Sequence, residues 1–106
     1  MTTELTDRIW DTLRECYDPE IPVNIVDLGL IYGVSLTEAE SGSYKINILM
    51  TLTAPGCAMG EWIKQDIETK LRELPNVRGV EIEFAFDPPW TPERMTPSAR
   101  LELNLI

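Results

Sequence analysis

The chain's 106 residues suit one compact domain with a single core, and 43% hydrophobic with 25% charged residues gives no sign of disorder. A net charge of −9 argues against nucleic acid or an anionic membrane surface as partner, since both are met by clustered Lys and Arg; a basic protein surface or a cation fits better. The absence of histidine removes Cys-His and Ser-His dyads and zinc sites of mixed His and Cys ligands, and two cysteines fall short of a closed structural zinc site.

Met1 to Arg8 are polar and acidic where a signal peptide is basic and then apolar, and no apolar run reaches the ~18 residues that span a bilayer. A cytoplasmic location is expected, with Cys16 and Cys57 as free thiols. Thr3 is placed to cap a first helix whose stripe is Leu5, Ile9, Leu13 and Tyr17, with Trp10 and Cys16 on its flanks. Two prolines and Gly29 make residues 18–29 an ordered, partly apolar loop. Leu30, Tyr32, Val34 and Leu36 alternate as a first strand, and residues 38–43 read as a hairpin connection. Ile46, Ile48, Met50 and Leu52 form a second strand, which places Thr51 and Thr53 together on its opposite face.

The strand-like run breaks at Pro55-Gly56, and a helical stripe of Met59, Ile63, Ile67, Leu71 and Leu74 follows until Pro75. Val80, Ile82, Phe84 and Phe86 predict a third strand with Glu81 and Glu83 on its other face. Gly29 and Gly60 read as positions of close approach. In the tail, Thr91-Pro92 and Thr96-Pro97 have the form of N-cap and first-turn pairs, whereas Leu101, Leu103 and Leu105 have strand spacing, so both conformations stay open there. The order helix-strand-strand-helix-strand predicts a single α+β domain over residues 1–106. It would be a small two-layer domain, a mixed three-stranded sheet with both helices on one face and a proline-rich C-terminal tail.

Cys57 is the most informative residue, because it stands where the second helix begins. Unpaired N–H groups at a helix N-terminus carry partial positive charge, which favours thiolate over thiol. A thiolate attacks electrophiles or binds soft metals, and the local pattern leaves both uses open.

Three separated segments carry a resemblance: Asp18-Pro19-Glu20-Ile21-Pro22 with Val26-Asp27-Leu28-Gly29-Leu30-Ile31-Tyr32, then Met50-Thr51-Leu52-Thr53-Ala54-Pro55-Gly56-Cys57, then Asp87-Pro88-Pro89-Trp90-Thr91-Pro92. Together they span nearly the whole chain, and in this order they resemble the SufT and PaaD family of small metal-sulfur cluster assembly proteins. The resemblance implies maturation of iron-sulfur proteins, with no catalysis on a metabolite. Cys57 would be the functional thiol and Asp18, Glu20 and Asp27 an acidic loop close to it; Thr51 and Thr53 are ordinary strand residues by propensity, and their shared face also permits hydroxyls beside Cys57. The PaaD branch, which serves a ring-hydroxylating oxygenase, continues into a cysteine-rich extension. This sequence ends at Ile106 without one, so the SufT branch and general cluster assembly are the expectation.

A cluster ordinarily takes four thiolates or close substitutes, and one subunit offers Cys57 and at best Cys16, which reads as apolar packing. Iron or an iron-sulfur cluster, held in passing, would then bridge two copies of Cys57 in a homodimer or be shared with small thiols or a client. Expected partners are the assembly machinery and apo-client proteins. Three carboxylates beside a thiol oppose its ionisation unless a cation sits among them, which favours a metal. Two other classes stay open: a thiol redox switch, weakened by the lack of a Cys-x-x-Cys pair, and an interaction module that uses the acidic surface and Trp90.

Overall fold

The structure, a computed structural model, describes residues 2–18, 21, 23–40, 42–53 and 57–103; the side chains of residues 2, 3 and 57–59 lie outside that description. Helix α1 (Thr2–Leu13) starts one residue ahead of the predicted Thr3 cap and buries Leu5, Ile9 and Leu13 on one stripe. Tyr17 does not extend that stripe. The helix stops at Leu13, and a tight bond from Cys16 N to Leu13 O (3.1 Å) turns the chain, so Cys16 takes the buried place and Tyr17 is 49% exposed.

The loop that follows is ordered and apolar, as its composition predicts. Val23, Ile25, Leu28 and Leu30 are buried, and the backbone groups that come with them are paired: Ile25 N donates to Cys16 O (2.9 Å) and Leu30 N to Ile25 O (3.1 Å). Gly29 closes the turn with φ +80°, a conformation that L side chains rarely adopt. A Cβ there would run into the backbone of Arg94, only 2.9 Å from its carbonyl carbon, so the predicted close approach at Gly29 is real.

Strand β1 (Ile31–Glu38) pairs antiparallel with the central strand β2 (Tyr44–Met50), and β3 (Val77–Phe84) pairs parallel with β2. A parallel neighbour requires a crossover, which α2 (Cys57–Leu71) supplies. Ile46, Ile48, Met50, Val80 and Ile82 meet Leu5, Ile9 and Leu13 of α1 and Ile63, Ile67 and Leu71 of α2 in one core. The result is the expected mixed, three-stranded, two-layer α+β fold.

Two strand ends depart from simple alternation. Ile31 lies opposite Met50 and Gly33 opposite Leu49, so Tyr32 is an extra residue in a bulge. The bulge takes Tyr32 out of phase with Val34 and Leu36; its hydroxyl donates to Pro88 O (2.7 Å) and the Arg94 guanidinium lies 4.8 Å from its ring centroid. Phe86 lies beyond the end of β3 and is 47% exposed, where alternation had placed it in the strand. In the tail the helical alternative holds: α3 (Pro97–Glu102) follows Thr96, whose hydroxyl accepts from Ala99 N (3.2 Å). Leu105 lies outside the described residues.

Candidate functional site

Strand β2 ends at Met50 and Cys57 is the first residue of α2, a 15-residue helix. The N–H groups of a helix's first turn have no intrahelical partner and point out of its N-terminal end, and Cys57 stands at that end of α2. The same turn is seated on the sheet through Gly60, where a Cβ would come within 3.4 Å of Leu52 and 3.6 Å of the Phe84 ring. Those are ordinary packing distances, so Gly60, unlike Gly29, is not a position of forced close approach. The Cys57 side chain and residues 54–56 lie outside the described residues, so the site is defined by its surroundings.

Thr51 is fully buried, and its N–H donates to Leu30 O (2.9 Å). Its hydroxyl has no hydrogen-bond partner among the described residues, an unusual state for a buried polar group. Because β2 stops at Met50, strand alternation does not govern Thr53. Its hydroxyl instead reaches across to the loop and donates to Asp18 Oδ2 (3.3 Å). Asp18 is itself buried, 4% exposed, and its Oδ1 accepts from Ile21 N (3.1 Å), so the carboxylate is held from two sides. Thr53 precedes Cys57 by four residues, and four residues span at most ~14 Å. The structure therefore brings Asp18 and Thr53 together, four residues of chain from Cys57.

Asp27 is engaged elsewhere. Its Oδ2 accepts from Asn24 Nδ2 (2.9 Å), while Asn24 Oδ1 accepts from the N–H groups of Val26 (3.0 Å) and Asp27 (2.9 Å). The Asn24 amide thus closes the turn from both its ends, donating to the Asp27 carboxylate and accepting from the backbone. The Asp27 carbonyl also accepts from Thr96 N (2.9 Å), and Asp27 lines a hollow with Ser98, Ala99 and Glu102 of the tail. Asn24 was not singled out by sequence reasoning, although Asn24-Ile25-Val26-Asp27 has the spacing that would have shown it. Glu20 lies outside the described residues.

Trp90 packs the tail onto this loop, with Nε1 donating to Leu28 O (2.6 Å). The other thiol, Cys16, is 1% exposed with Sγ 3.7 Å from Thr12 O. Burial, reinforced by the Asp66 carboxylate, pushes it up to about 12. Among the described residues no group of three or more His, Cys, Asp or Glu is placed to hold a metal ion, and no helix is long and apolar enough to cross a membrane.

The sequence and the fold are similar to those of known proteins. The chain is 42% identical over 94 residues to the Fe-S protein maturation auxiliary factor of Porphyromonas gingivalis, covering 89% of this chain and 86% of that protein. It is 36% identical to the Fe-S protein maturation auxiliary factor SufT of Staphylococcus aureus, over 83% of this chain and 96% of that one. A crystal structure of a domain of unknown function, DUF59, from Bacillus anthracis superposes with a TM-score of 0.82 at 33% identity, over 98% of this chain and 95% of the other. The profile of the family described as iron-sulfur cluster assembly protein matches residues 6–84, and the chain belongs to that family.

Proposed function

We propose that this protein is an accessory factor that delivers iron or an iron-sulfur cluster to apo-proteins, with Cys57 as the thiolate that grips the cargo in passing and without catalysis on a metabolite. The observation that carries the proposal is the position of Cys57 as first residue of α2, four residues beyond the Thr53–Asp18 hydrogen bond. The helix end favours the thiolate, and the buried Asp18 carboxylate favours a cation alongside it.

Ligand supply sets the manner of binding. Cys16 is buried and held protonated, so one subunit contributes a single usable thiolate where a cluster takes about four. The cargo is therefore shared: between two copies in a homodimer, with small thiols, or with the client. Such sharing suits delivery, because a ligand set completed by the client passes the cargo on as it forms. The family relationship supports the assembly machinery and apo-clients as partners.

The test is delivery. With an apo-ferredoxin as acceptor, iron and sulfide under anaerobic conditions, the protein should accelerate the appearance of ferredoxin absorbance. Cys57→Ala should reduce the rate to that of the factor-free reaction and Cys16→Ala should not. Unchanged delivery by Cys57→Ala would remove the thiol from the proposal.

A further inference from the structure

The face of the sheet turned away from the helices carries three rungs of paired residues. Counted from the C-terminal end of β2 they are Gly33, Leu49 and Glu83; Ser35, Asn47 and Glu81; then Thr37, Lys45 and Gly79. The first two rungs line an open hollow of about 310 Å³. An exposed sheet face is ordinary when its residues are polar and mutually satisfied, and the second and third rungs meet that description. Asn47 donates to Thr37 (2.9 Å), and Lys45, the cation of the three rungs, is paired with Glu81 (3.1 Å).

The first rung does not. Leu49 is 38% exposed in its centre, Gly33 leaves nothing within 4 Å of where a Cβ would stand, and Glu83 on the other side has no cationic partner among the described residues. A leucine floor, a gap over glycine and an unpaired carboxylate together form a slot with an apolar base and an anionic wall.

We infer that this slot docks a basic segment of a partner protein, a Lys or Arg side chain lying with its aliphatic stem on Leu49, in the space over Gly33, and its cation against Glu83. Long basic side chains cover apolar surface in this way while their charge is met at the tip. Charge selects this occupant: the slot's wall is the Glu83 carboxylate on a chain of net charge −9, which a basic side chain complements. The surface is on the sheet face opposite the core and makes no use of Cys57, so binding should persist in Cys57→Ala; the docking surface and the delivery thiol stand or fall separately.

The experiment is an NMR titration of the full ¹⁵N-labelled chain at low salt with a capped alternating lysine-leucine peptide, and with its glutamate-leucine counterpart. The lysine peptide should give saturable shifts centred on the amides of Gly33, Leu49 and Glu83, and the glutamate peptide none. Glu83→Gln should weaken binding about threefold, the range of an exposed ion pair, while Glu61→Gln, on the exposed side of α2, leaves it unchanged. Gly33→Val should fill the slot and abolish binding; its spectrum reports whether it folds, and Leu49→Ala, a surface truncation, should weaken binding independently of that. Shifts centred elsewhere, no saturation, or an equal loss with Glu61→Gln would overturn the inference.

Discussion

The two cysteines occupy opposite kinds of helix end, and their surroundings differ accordingly. Cys16 lies three residues past the C-terminus of α1, where carbonyls are free, with Thr12 O at 3.7 Å from its sulfur, the Asp66 carboxylate nearby and 1% of its surface exposed. Cys57 heads α2, where N–H groups are free. Cys16 is thereby made inert packing, whereas the proposed function assigns Cys57 the role of ligand. Cysteine content alone says little about thiol chemistry; the direction of the adjacent helix says more.

The largest effect expected from this contrast is in alkylation. A thiol pushed from 9.0 to about 12 has roughly a thousandfold less thiolate at neutral pH than an ordinary one. Iodoacetamide on the native protein should therefore label Cys57 and spare Cys16, with both labelled in denaturant, as read by peptide mass spectrometry. Rapid native labelling of Cys16 would break the comparison. Next in size is Gly29→Ala, which forces a Cβ into the Arg94 backbone at φ +80° and should cost about 3 kcal/mol in urea unfolding. Because Gly29 belongs to the loop that carries Asp18, this variant tests whether the site depends on the tail holding that loop.

Smaller still is Trp90→Phe, which keeps the ring packing and leaves Leu28 O without its donor; a loss of about 1–2 kcal/mol is expected in the same measurement. The smallest effect is the pH dependence contributed by Cys16. Its folded value is raised, so above about pH 9 the unfolded chain sheds a proton that the folded chain keeps. Stability from this source is complete below pH 9 and declines as pH rises, by less than about 1 kcal/mol at pH 9.5. Cys16→Ala should flatten that decline, as followed by urea midpoints across the range.

Much of the architecture was legible in the sequence because periodicity reports burial directly. The stripes at Leu5, Ile9 and Leu13 and at Ile63, Ile67 and Leu71, and the alternation at Ile46, Ile48 and Met50, all lie in the core. What alternation does not report is where an element stops. Tyr17 and Phe86 continue their patterns on paper but lie beyond Leu13 and Phe84, and the bulge at Tyr32 shifts phase within a strand. The site was legible in part: the thiol's place at the head of a helix follows from Pro55-Gly56, and the bond between Thr53 and Asp18 joins residues 35 apart that only the fold brings together. Asp27 could not be sorted from Asp18 by residue type. The difference is Asn24, which engages one carboxylate in a turn while the other faces Thr53.

The most direct measurement is anaerobic reconstitution with iron and sulfide, read by thiolate-to-iron charge-transfer absorption, on the wild-type chain and on Cys16→Ala and Cys57→Ala side by side. The absorption should be present in the first two and absent in Cys57→Ala. A full spectrum from Cys57→Ala, or its loss in Cys16→Ala alone with the fold intact by circular dichroism, would contradict the assignment of the two thiols.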